Sequence, residues 1–224
     1  MNLSPRAAQY LSTLSRNDGW VSNEDETRAY LVNQKIFPFE QFLKYQLWYS
    51  GYDLAIKNDP QNSFSCRLFS GDQIRRNKDL TMERASDRLV EVCGTHKTAQ
   101  FTFFLTDKGE LCTLDDENLP IIQYGTFEKC IEEYALRNEI YFWDQNPYYF
   151  NVLRPHDLVV IMDQKCKIVP ECSDPYVTWW AGENLVAVKG VWLDRQEFYF
   201  HVYGTRKQIC DELITDLINQ GILK

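Results

Sequence analysis

Between Thr98 and Trp143 the apolar and polar positions change period twice. Phe101, Phe103 and Leu105 alternate with Thr102, Phe104 and Thr106, the period-two pattern of a strand with at least one buried face. Asp107-Lys108-Gly109 reads as a tight turn, because glycine accepts positive φ without steric cost. Glu110 to Leu114 then runs back as a second strand. From Thr126, a residue type that caps helix N-termini, the period becomes helical. Phe127, Cys130, Ile131, Tyr134, Ala135 and Ile140 fall on one face, and Glu128, Lys129, Glu132, Glu133 and Arg137 on the other. The polar side is expected to be a solvated helix face. A hairpin feeding a helix that packs across it is the unit of a layered α+β core.

The flanking pattern extends this core in both directions. Ser4-Pro5 is a compact helix start, and Asn17-Asp18-Gly19 closes that helix. A second helix begins near Ser22 or Asn23, with Glu24, Asp25 and Glu26 in its first turn. Phe37-Pro38 is a break, and a third helix through Leu47 and Trp48 ends at Ser50-Gly51. Strands are expected over 52–56 and 63–69, joined by a turn over 58–62, and over 89–93. Residues 71–87 read as a polar loop with a helical turn.

Beyond Trp143 the pattern changes. Residues 146–150 read as an aromatic turn, the apolar run Leu158 to Met162 as a buried strand, and 168–174 as a loop. Strands over 185–193 and 197–203 form a second hairpin, and a helix over 205–218 closes the chain. Tyr124-Gly125-Thr126 and Tyr203-Gly204-Thr205 both follow hairpins and precede helices. This echo is either a common strand-to-helix junction or a duplicated strand–strand–helix unit. The expected organisation is an α+β core over 1–145, with N-terminal helices around a mostly antiparallel sheet, and a C-terminal hairpin–helix extension over 146–224.

Composition narrows the function classes. A net charge of −8 is unsuited to nucleic acid, which requires a basic stripe to displace counterions. It suits a basic partner. No run approaches a membrane span, no signal-like pattern opens the chain, and the expected location is the cytoplasm. The seven cysteines form no C-x-x-C pair and read as buried free thiols. His96, His156 and His201 have no ligand spacing, so no metal is expected. No glycine-rich phosphate loop, nucleophile elbow or converging carboxylate pair assigns a cofactor or a catalytic residue. Asp115, Asp116 and Glu117 are either a solvated turn or an acidic contact for a basic partner. Trp179 and Trp180 are either core or an exposed anchor. These five are the candidate partner-binding residues.

Two segments carry a family resemblance. Ile36-Phe37-Pro38-Phe39-Glu40-Gln41-Phe42-Leu43, closing at Tyr49-Ser50-Gly51-Tyr52, is similar to a helix–"LP"–helix entry that ends on an Asn-Gly-type turn. Phe103 to Glu110, followed by Tyr124-Gly125-Thr126-Phe127-Glu128, resembles a strand–Asp-x-Gly–strand unit with its following helix. Together they resemble the SUKH superfamily, which includes bacterial toxin-immunity proteins and yeast cell-wall-assembly regulators. Phe37 stands where Leu is usual and Ser50 where Asn is usual, and residues beyond about 146 are not covered. The resemblance implies an α+β fold, no catalysis, and sequestration of a cognate protein toxin, basic and nuclease-like. A regulatory or scaffold module of the same fold is the alternative, and an enzyme with a scattered site is a third. The family carries no transferable binding residues.

Overall fold

The computed structural model describes residues 3–57 and 59–224, and the fold is α+β with two antiparallel sheets. Three helices lead in: α1 (Pro5–Ser12), α2 (Glu24–Asn33) and α3 (Glu40–Trp48). The Ser4 hydroxyl accepts from the Ala7 N–H, and Asn23 with Glu26 forms a capping box, so orphan first-turn donors are satisfied locally. Gly51 adopts φ +100 after α3, and a Cβ there would meet the Asn17 carbonyl at 2.7 Å.

The first sheet comprises β1 (Asp53–Ile56), β2 (Asp59–Cys66), β3 (Glu83–Ala85), β4 (Arg88–His96), β5 (Thr102–Thr106), β6 (Leu111–Leu114) and β7 (Pro120–Tyr124). Its order is β1-β2-β4-β5-β6-β7, with β3 also on β4. Asn58, in the expected 58–62 turn, lies outside the described residues. The rest of that segment is strand, because an irregularity at Ala55/Ile56 lets Ile56 pair directly with Asp59. The polar 71–87 stretch holds the short helix α4 (Gly71–Arg75) before β3. On β4, burial and the neighbouring Glu83 push the Glu91 carboxyl up to about 8. The folded state then binds a proton that the unfolded chain releases near 4.5, so stability falls as pH rises through that window. Glu91→Gln is therefore expected to raise the urea midpoint at pH 8 but not at pH 4. Equal gains at both would refute the assignment.

Helix α5 (Phe127–Glu139) follows β7. The second sheet comprises β8 (Asp144–Gln145), β9 (Phe150–Asn151), β10 (Lys167–Ile168), β11 (Thr178–Ala181), β12 (Leu185–Val191) and β13 (Phe198–Gly204). Its order is β10-β11-β12-β13-β8, with β9 also on β13. It therefore starts at Asp144, and it is a sheet with its own core rather than a hairpin alone. Helices α6 (Pro155–Lys165) and α7 (Lys207–Asn219) cover its outer face, with Leu158, Met162, Leu213 and Leu217 against Trp180, Ala187, Phe200 and Val202.

Three expectations are corrected. Leu158 to Met162 is helix, not strand: Pro155 opens it, Leu158 and Met162 are buried at i and i+4, and Val160 is exposed. The 168–174 stretch contains part of β10 and a 3-10 turn over Pro170–Cys172. Thr126 holds the N-cap position of α5, but its hydroxyl makes no capping hydrogen bond.

Candidate functional site

Helix α5 lies between the two sheets. Phe127, Cys130, Ile131, Tyr134 and Ala135 pack in the core of the first sheet. Leu136 and Ile140 pack with Val186, Val188, Trp179 and Tyr203 of the second. At about 100° per residue, Glu133 and Arg137 fall in the seam between those two stripes. The expected solvated face is thus largely covered. Glu132 is 3% exposed and Glu133 6%. Glu132 accepts from the Ser4 backbone N–H at 2.6 Å and the Ser4 hydroxyl at 2.7 Å, and so clamps the start of α1.

Glu133 ties the two sheets together. Its Oε2 accepts from the Tyr124 hydroxyl of β7 at 2.8 Å and from Trp179 Nε1 of β11 at 3.1 Å. Its Oε1 lies 3.6 Å from Arg137 Nη1. Burial opposes the charge on Arg137, but Tyr203, Glu133 and Tyr149 outweigh it and keep the guanidinium protonated. Arg137 Nε is buried and has no partner among the described residues.

The candidate partner contact at Trp179 and Trp180 is corrected here, because both are 0% exposed. Successive residues on β11 point to opposite faces. Trp179 faces α5 and Glu133, whereas Trp180 faces α6 and donates to Asp163 Oδ1 at 2.7 Å. No ring surface remains for a partner. Asp115, Asp116 and Glu117 lie in the turn between β6 and β7. Asp115 Oδ1 is engaged by the N–H groups of Glu117 and Leu119, leaving Asp116 and Glu117 exposed.

A cavity of about 330 Å³ opens beside Arg137, between the sheets. One wall is Phe64, Phe103 and Leu111, and the other is Tyr149, Trp192 and Tyr199. Both walls depend on glycine. A Cβ on Gly94 would meet the Phe64 ring at 2.4 Å, and one on Gly190 would meet the Tyr199 ring at 2.6 Å. Each ring comes this close to a strand only because that position has no side chain. Trp192 and Leu193 reach the first sheet: Thr113 Oγ1 donates to the Leu193 carbonyl at 2.6 Å, and Gln123 Nε2 to that of Trp192 at 3.1 Å.

The tyrosines and His96 around this cavity are held uncharged. Burial raises Tyr124, Tyr134 and Tyr199, so their hydroxyls keep their protons. Burial, with Arg137 second, lowers His96. His96 Nδ1 accepts from the Thr98 and Ala99 N–H groups, so Nε2 carries the proton toward Asn62 Oδ1 at 3.2 Å. Behind the cavity His201 stacks on Tyr149 at 4.3 Å. Burial pushes Cys130 and Cys93 well above the ordinary thiol range, and Cys66, Cys112 and Cys172 up to about 12. All seven cysteines are buried as free thiols. Native protein at pH 7.5 is expected to resist a thiol reagent at these five, and urea to release all seven. Rapid native labelling of Cys130 would overturn this. Among the described residues no group of three His, Cys, Asp or Glu could hold a metal, and no helix is long and apolar enough to cross a membrane.

The polar-face pattern of α5 does not reveal the seam, because it groups Glu133 and Arg137 with solvated residues. The available signal was Leu136, which with Ile140 makes a second apolar stripe on α5. No family model, curated protein or solved structure matches this chain.

Proposed function

We propose that the chain is a non-catalytic binding protein of the immunity type, which neutralises a cognate basic protein toxin by forming a complex with it. One observation carries the reading. Exposed aromatics flank the two openings onto Arg137: Tyr149 edges the inter-sheet cavity, with Tyr148 beside it. Tyr141 edges a second recess floored by Arg137 and Tyr203, and Phe142 packs against Tyr141 at 5.5 Å. Phe142 is 71% exposed and Tyr148 68%, unusual for rings of that size in water. Aromatic anchors of this kind dominate protein interfaces, since a rigid ring gives large contact area at low entropy cost. The net charge of −8 supports a basic partner, whose encounter it would steer. The raised thiol pKa values support binding rather than cysteine chemistry.

The test is co-expression with the product of the neighbouring gene, followed by binding kinetics on the purified pair. Phe142→Ala with Tyr148→Ala is expected to abolish protection and weaken binding by about 2 kcal/mol or more while leaving the melting temperature unchanged. Full protection by that variant would reject the aromatic rim as the interface. Asp116→Lys with Glu117→Lys is expected to slow association several-fold and flatten its salt dependence. An unchanged on-rate would remove the acidic turn from the encounter.

A further inference from the structure

We propose that the inter-sheet cavity is a binding site for a one- or two-ring aromatic ligand that donates a hydrogen bond, from a ring N–H or a phenolic hydroxyl, to Glu133 Oε1. This goes beyond the protein-partner reading and does not rest on it.

The first observation is an acceptor left open. An ionised carboxylate offers about four acceptor positions. Glu133 Oε2 uses two, on Tyr124 and Trp179, whereas Oε1 receives no hydrogen bond from the described residues. Arg137 Nη1, at 3.6 Å, lies beyond hydrogen-bond range. Nor is Oε1 sealed away: of the side-chain atoms around this cavity, those fully buried without a partner are Arg137 Nε and Trp192 Nε1. An oxygen that is neither bonded nor sealed keeps surface in the space its residue lines, and for Glu133 that space is this cavity.

The same reasoning opens three more oxygens to the cavity. Gln123 commits its Nε2 to the Ile121 and Trp192 carbonyls, so its Oε1 stands free, and the Tyr134 and Tyr199 hydroxyls make no hydrogen bond among the described residues. Of these four oxygens, two can only accept and two can do either. A ligand that brings a donor therefore meets the whole set. Among the described residues Arg137 is the one cation of the lining, and Glu133 is its counter-charge, so the ligand's donor needs no charge of its own.

The second observation is the walls. Phe64 and Phe103 on one side and Tyr149 and Trp192 on the other offer ring surface to a flat apolar body. The volume of about 330 Å³ lies at the small end of ligand pockets, which limits that body to one or two rings.

Isomer pairs of equal size test the donor: 3-methylindole against 1-methylindole, and 4-methylphenol against anisole. Each pair differs in whether its nitrogen or oxygen carries a proton. Binding to the intact chain is followed at pH 7 by nitrogen–proton NMR of the tryptophan indoles. The donor-bearing isomer is expected to shift the Trp192 resonance and to bind about tenfold tighter, the effect of one hydrogen bond to a charged group. Glu133→Gln is expected to erase most of that preference. Equal affinity within both pairs would overturn the inference on the native protein alone. So would binding that leaves the Trp192 resonance unmoved, or the failure of both donor-bearing isomers to bind. A preference undiminished in a folded Glu133→Gln would reject Glu133 as the acceptor.

Discussion

Glu133→Ala is expected to destabilise the fold by about 3–5 kcal/mol, a large share of the stability of an ordinary domain. The carboxylate is buried, and three groups lose their partner at once: the Tyr124 hydroxyl, Trp179 Nε1 and the Arg137 guanidinium. Leaving a charge buried and unmatched costs more than the intact pair contributes. Glu133→Gln separates the terms, since its amide oxygen can still accept from Tyr124 and Trp179 while the charge is gone. Adding Arg137→Met to Glu133→Gln is expected to recover about 1 kcal/mol or more, because the orphaned cation is removed with its partner. Urea unfolding of wild type, Glu133→Gln, Arg137→Met and the double variant closes the cycle, and losses that simply add would show that the pair is not coupled.

Stability is expected to fall between pH 6.5 and pH 4 through His201, by up to roughly 3 kcal/mol. His201 is 1% exposed, and its Nδ1–H donates to the Tyr148 carbonyl at 3.2 Å. The second proton would have to enter at Nε2, which is buried without a partner. Burial, opposed by the Tyr148 contact and reinforced by Arg137, lowers the ring from 6.5 to about 4. The unfolded chain therefore takes up the proton first as pH falls. The contribution is complete above 6.5 and is lost on descent toward 4. His201→Phe preserves a ring against Tyr149 and cannot titrate. Glu91 acts in the opposite sense over part of the same range, so the comparison is the difference between wild type and variant, in which Glu91 cancels. Parallel urea-midpoint curves from pH 4 to 7 would sink the assignment.

Local chemistry made much of the fold legible in the chain. Ser4-Pro5 and Asn23 opened helices where they were expected, since a cap depends on residues three apart. The two strands of the 101–114 hairpin followed from period two and a glycine turn. The run 158–162 misled because a short apolar stretch has no period of its own, and what settles it is the flanking Pro155 and the sheet it must cover.

The seam was not legible. Whether Glu133 meets water or Trp179 depends on a strand 46 residues away, and nothing in the period of α5 reports that. The same holds for Trp179 and Trp180, whose pairing with opposite faces makes one a partner of Glu133 and the other a partner of Asp163. By itself the sequence determined what adjacent residues decide: the elements, their caps, the acidic balance and the apolar thiols. Only the tertiary structure decided that α5 is covered from both sides, that a Glu–Arg pair is buried between two sheets, and that a cavity opens beside it. Burial and charge pairing are properties of distant segments brought together, and the free energy of a buried charge is set by those neighbours rather than by its place in the chain.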